Sequence, residues 1–209
     1  MAAWRSRRSH GVPFDAEALK SSMRVCLSWS EDNSVLGVLN TGGILKTASQ
    51  VQIRRATVDD ASRVASVLRK AFAEYEPLYT KQGYAATVLG RAAILVRIQQ
   101  GPVWIALHRE QIAGTVSAAH KEAALYVCGV AVVPEARGLG IAQLLLEQVE
   151  AFAVEEGFEQ LILSTTPFLL RAIRLYEKLG FRAIDDGPQD LFGTPLCSMQ
   201  KMLAPRVSQ

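Results

Sequence analysis

Long apolar runs, paired cysteines and a surplus of charge of one sign are all missing from this 209-residue chain. No stretch approaches the ~20 consecutive apolar residues of a membrane span. The apolar runs present, such as 123–133, suit buried strands instead. Its three cysteines, Cys26, Cys128 and Cys197, are odd in number, widely spaced and free of any CxxC pattern. That excludes a disulfide framework and a cysteine zinc site, and fits a reducing, cytoplasmic compartment. Cys128 lies in an apolar strand pattern and reads as a buried thiol. The histidines His10, His108 and His120 show no metal-ligand spacing, so no metal is expected. Charge is close to balance. Residues 1–49 hold six of the 23 bases and four of the 20 acids, leaving 17 bases and 16 acids for 50–209. A domain built to hold a polyphosphate backbone carries a basic surplus, so nucleic acid is not the expected partner.

What is present is an ordinary globular mixture, 49% hydrophobic and 21% charged, enough for one domain with a full core and a tail. Residues 1–49 lack sustained periodicity and open on the Arg/Ser-rich Trp4-Arg5-Ser6-Arg7-Arg8-Ser9-His10. Early acids (Asp15, Glu17) and the lack of an apolar core argue against a transit or secretory signal. This segment reads as a disordered, dispensable extension or as an over-long start, with Met23 an alternative initiator.

Periodicity begins at Val51 and marks a domain over 50–205. A strand at 51–54 leads to a helix capped by Thr57 or Asp59 and running to Ala73, with Ala61, Val64, Val67, Leu68 and Phe72 on one face. A second helical stretch covers 81–98 and stops at Gly101-Pro102. Strands at 103–108 and 112–119 form a hairpin, and 125–133 is the third strand of that meander. A helix at 139–156 carries the stripe Ile141, Leu144, Leu145, Val149 and Phe152. A strand at 160–165, a helix from Pro167 to Gly180, and strands at 181–185 and 196–202 around a loop at 186–194 complete the chain. The fold class is α/β (α+β), one mixed sheet covered by helices.

One junction stands out. The β-branched run ending Val130-Ala131-Val132-Val133-Pro134 is followed by Glu135-Ala136-Arg137-Gly138-Leu139-Gly140-Ile141-Ala142 and a helix. Such a turn aims backbone N–H groups and the positive end of a helix dipole at one spot, which suits a phosphate. A P-loop is excluded because Gly-Lys-Ser/Thr is absent. A dinucleotide fingerprint fails because Gln143 stands where a third glycine or alanine belongs. About forty residues on comes Leu175-Tyr176-Glu177-Lys178-Leu179-Gly180-Phe181.

Arg137-x-x-Gly140-x-Ala142, placed directly after that strand, resembles the acetyl-CoA signature of the GNAT superfamily (Gcn5-related N-acetyltransferases). Leu175–Phe181 resembles the second hallmark of the same family, in the usual order and at the usual separation. The resemblance covers about residues 51–203 and is strongest over 125–185. It implies a mixed, mostly antiparallel sheet of about seven strands flanked by about four helices, splayed between 125–133 and 160–165. It implies acetyl-CoA as donor. The pantetheine arm would lie along Val130, Ala131 and Val132, with the pyrophosphate held around Arg137, Gly138, Leu139, Gly140, Ile141, Ala142 and Gln143. Tyr176 matches the family tyrosine that protonates the departing CoA sulfur, a task suited to a phenol, which stays protonated near neutrality.

Two positions depart from family patterns. Leu169 stands where many members carry a CoA-binding asparagine, and Ser164 stands where the ribosomal-protein acetyltransferases carry a glutamate base. The base is therefore unassigned, with Glu74, Glu76, His120, Glu122 and Tyr126 as candidates. Segment 72–79, with two acids and two tyrosines, suits a cationic amine. The expected activity is acetyl transfer from acetyl-CoA to an amine-bearing acceptor, a primary amine of a small molecule or protein. A catalytically silent acyl-CoA sensor and a transferase using a longer acyl-CoA are the alternatives. The oligomeric state is open, a homodimer included.

Overall fold

In the computed structural model, the described residues are 51–204, so the reading of segment 1–49 lies outside them. Seven strands form one sheet in the order β1-β2-β3-β4-β5-β7-β6. They are β1 (Gln52–Arg55), β2 (Val103–His108), β3 (Gln111–Lys121), β4 (Ala124–Val132), β5 (Gln160–Thr165), β6 (Arg182–Leu191) and β7 (Thr194–Met202). All neighbours pair antiparallel except β4 and β5. Five α-helices accompany them: α1 (Ala61–Phe72), α2 (Lys81–Thr87), α3 (Arg91–Gln100), α4 (Ile141–Glu155) and α5 (Leu170–Lys178).

Alternation along the central strands divides the core in two. Trp104 and Ala106 face one side, where Ile141, Leu145, Leu146, Val149 and Ala153 of α4 close over Val116, Leu125 and Val127. Ile105, between them, faces the other side with Val64, Leu68 and Ile94 of α1 and α3. Asp60 fastens α1 to β1. Its buried carboxylate accepts bonds from Arg54 Nη1 at 2.7 Å, Arg63 Nη2 at 2.6 Å and the Thr57 amide at 2.8 Å. No helix among the described residues is long and apolar enough to cross a membrane.

Three expectations need correction. The helical stretch at 81–98 is two helices, because the chain leaves the helix at Val88, with ψ +78°, and restarts from the extended Gly90. Among the described residues there are thus five α-helices, in line with the about four expected. The loop expected at 186–194 is instead the end of β6, a Phe192-Gly193 turn with both φ positive, and the start of β7. An irregular register between Ile184 and Gln189 absorbs Gly187 and Pro188, the residues that read as a loop. In α4, Leu146 and Ala153 are buried while Leu144, read into the buried stripe, is exposed.

Candidate active site

The site begins with an interruption of the sheet. Strands β4 and β5 pair only from Ala124–Gln160 to Val127–Leu163. Beyond Val127 one edge of β4 has no strand beside it, so the N–H and C=O groups of Val130–Val132 on that edge are open to a ligand. The cause is a bulge. Thr115 faces Ala131 and Ser117 faces Cys128, so three steps along β4 match two along β3. Gly129 takes φ +64° inside it, and a Cβ there would stand 3.1 Å from Arg97 Nη1. The glycine thus turns the strand and leaves room for a guanidinium.

Beyond β4, a 3-10 turn at Pro134–Ala136 leads into the glycine turn. Gly138 and Gly140 have φ +84° and +74°, and a Cβ added to either would meet no atom within 4 Å. Their requirement is conformational, and the space in front of them is open. Gly140 precedes α4 without a capping side chain. The amides of Ile141, Ala142 and Gln143 therefore begin the helix without intrahelical partners, an arrangement that suits an anion. Arg137 braces the turn: its guanidinium pairs with Glu74 and donates from Nη2 to the Ala71 carbonyl at 3.1 Å.

Two cavities flank the free part of β4. The larger, of about 470 Å³, runs along Val130–Val132, the glycine turn and the first turn of α4, with Arg171 of α5 on its far wall. Every residue read as cofactor-binding lines it except Leu139, which is 45% exposed and outside the lining. The smaller, of about 140 Å³, lies on the other side of the splay, among Tyr79, Arg97, Tyr126, Cys128 and Thr165. Cys128 is therefore half-buried on a cavity wall, not a sealed core thiol. Phe72, Val130, Leu169, Ala172 and Tyr176 line both cavities.

Tyr176 sits at that junction with 6% of its surface exposed, its ring against Phe181. Burial pushes its hydroxyl well above the ordinary tyrosine range, helped by the neighbouring Tyr126, Tyr79 and Cys197. It holds its proton throughout the physiological range. Burial also raises Tyr79, against the lowering influence of the Thr166 and Thr87 hydroxyls.

The candidate bases are not brought together. Glu74 is committed to Arg137, and Glu76 is exposed. His120 packs on Phe158 with its ring centroid 4.5 Å away. Neither His120 nor Glu122 lines either of these two cavities, whereas Tyr126 lines the smaller. Ser164, at the position of a glutamate in one family branch, has its Oγ 3.3 Å from Ser198 Oγ. Segment 72–79 contributes aromatic rings, Phe72, Tyr75 and Tyr79, and no acid to the cavities. Sequence reading missed Arg97 and Arg171. The available signal for Arg97 was a cation three residues after Ile94, on the buried face of α3.

Residues 64–181 match the model of the Acetyltransferase (GNAT) family. The chain is 32% identical over 139 residues to the uncharacterized N-acetyltransferase YjgM of Escherichia coli, covering 64% of this chain and 83% of that one. It is 35% identical over 85 residues to human N-acetyltransferase 8B, covering 38% of this chain and 37% of that one, so it spans well under half of that relative. A putative acetyltransferase from Salmonella typhimurium, solved with acetyl-CoA, shares the fold with a TM-score of 0.61 at 19% identity, over 77% of this chain and 98% of that one. This chain belongs to the GNAT acetyltransferase family.

Proposed function

We propose that this protein transfers the acetyl group of acetyl-CoA to a primary amine by direct attack within a ternary complex. The observation that carries the reading is the meeting of two cavities at Tyr176, one along the free edge of β4 and the glycine turn, the other opposite it. The larger cavity suits acetyl-CoA. Unpaired amides of Ile141, Ala142 and Gln143 offer donors to the pyrophosphate, and Arg171 adds a cation on the opposite wall. The unpaired edge at Val130–Val132 offers a strand-like partner to the pantetheine amides. Leu139 is exposed and does not line this cavity, and the Arg137 side chain acts by tethering the turn to the end of α1.

Bound acetyl-CoA supplies a thioester: the amine nitrogen bonds to its carbonyl carbon, the C–S bond breaks, and the sulfur leaves with the electron pair. A backbone N–H of the free β4 edge polarises the carbonyl oxygen. Tyr176 directs its proton to the departing sulfur, and its raised pKa keeps that proton in place until charge develops. No carboxylate or imidazole lines the smaller cavity. The amine therefore loses its proton to water before or during attack.

Calorimetric titration with acetyl-CoA, followed by thiol-release assays on a panel of amines, tests this reading. Saturable binding with thiol release on an amine supports it. Saturable binding with no release on any amine favours a silent acyl-CoA sensor, and no binding overturns the donor assignment.

A further inference from the structure

Arg97 is 9% exposed, yet it lines the smaller cavity and its Nε is buried without a hydrogen-bond partner. Among the described residues no carboxylate lies within ion-pair distance of it. A buried guanidinium without an anion is costly, and natural proteins bury such charges almost only in pairs. Every other residue lining that cavity is uncharged at neutral pH, so no acid of the site answers the arginine. The seat is built for it: Gly129, at the bulge of β4, has no Cβ to meet Nη1.

We infer that Arg97 binds the carboxylate of the acceptor, and that the acceptor is a small amino acid. This rests on the acetyltransferase reading given above. Arginine presents a planar fork that matches a carboxylate bidentately. The remaining wall is aromatic and hydroxylic, from Tyr79, Tyr126 and Thr165. A volume of about 140 Å³ is small beside the 300–1,000 Å³ of sites for drug-sized ligands. Gly129, beneath the guanidinium, directly precedes Val130, which is shared by both cavities. The two residues are consecutive, so the carboxylate seat lies close to the junction of the two cavities. That proximity fits an α- or β-amino acid, and the acids expected for a polyamine site are absent from the lining.

The test is a thiol-release assay at saturating acetyl-CoA with the standard α-amino acids, β-alanine and 4-aminobutyrate, each against its carboxamide, with putrescine and spermidine alongside. The expected result is acetylation of an α- or β-amino acid with kcat/KM roughly a hundredfold above that of its amide. In Arg97→Gln that ratio falls to near one while acetyl-CoA affinity is unchanged, and Arg97→Lys restores part of the preference. A purely structural arginine would instead lower both substrates equally, which would overturn the inference. Turnover confined to polyamines or amides would overturn it and leave acetyl transfer standing. Absence of acetyl-CoA binding would overturn both.

Discussion

Replacing Gly140 with alanine separates the conformational demand on the glycine turn from the phosphate-binding role proposed for it. The residue has φ +74°, where a side-chain-bearing residue costs roughly 1–2 kcal/mol. No protein atom lies within 4 Å of the added Cβ, so overpacking adds nothing. In a domain of this size 1 kcal/mol moves Tm by roughly 2–4 °C, which puts the expected loss for the free protein at about 2–8 °C. Gly140 also lines the larger cavity, where the diphosphate is expected, so the same methyl takes up space proposed for the ligand. Acetyl-CoA affinity should therefore fall at least tenfold, beyond what the stability loss explains. Differential scanning fluorimetry of the free protein and calorimetric titration with acetyl-CoA read the two effects separately. A variant with the expected Tm loss and wild-type affinity would refute the pyrophosphate assignment.

Further expectations concern pH. Because the smaller cavity, the proposed acceptor site, holds no carboxylate or imidazole, kcat/KM should climb tenfold per pH unit until the free amine is deprotonated. Tyr176, raised by burial, should impose no fall before about pH 10. A plateau set near pH 6–7 in the pH–rate profile would reveal a protein base and contradict this. Asp60 is held at about 2 instead of 3.8, chiefly by hydrogen bonding to Arg54, which corresponds to about 2 kcal/mol at neutral pH. A depressed folded pKa stabilises above the unfolded value and loses that contribution as pH falls through about 4 towards 2. Asp60→Asn should therefore lose about 2 kcal/mol in urea unfolding at pH 7, with the difference narrowing at pH 3. A constant difference across that range would show that the carboxylate charge is not the source.

The glycine turn and the strands around it were legible because their signals are local. β-branched residues ending at Pro134, then Gly138 and Gly140, admit few backbone paths. The Arg109-Glu110 turn joining β2 and β3 was equally plain by spacing. The break between α2 and α3 was hidden because Val88 and Leu89 continue an apolar pattern, leaving only Gly90 as a stop. The length of β6 was hidden because Gly187 and Pro188 ordinarily signal a loop, and only the irregular pairing with β7 keeps them in a strand.

The site itself was half legible. Motifs located Tyr176 and the turn, since they follow one another along the chain. The smaller cavity draws on residues from segment 72–79, α2, α3, β4, β5, α5, β6 and β7, and that convergence has no linear signature. Glu74 read as a substrate-binding acid because its partner Arg137 lies 63 positions away. Phe72 read as a core residue of α1, although it is half-buried and lines both cavities.

The decisive measurement is the kinetic signature of Tyr176→Phe, which keeps the ring that packs on Phe181 and removes only the hydroxyl. With the acceptor found in the amine panel, kcat should fall by roughly 10²- to 10⁴-fold, while the calorimetric affinity for acetyl-CoA stays within about twofold. Equal kcat in the variant and the wild type would contradict the assignment of Tyr176 as the proton donor at the junction of the two cavities.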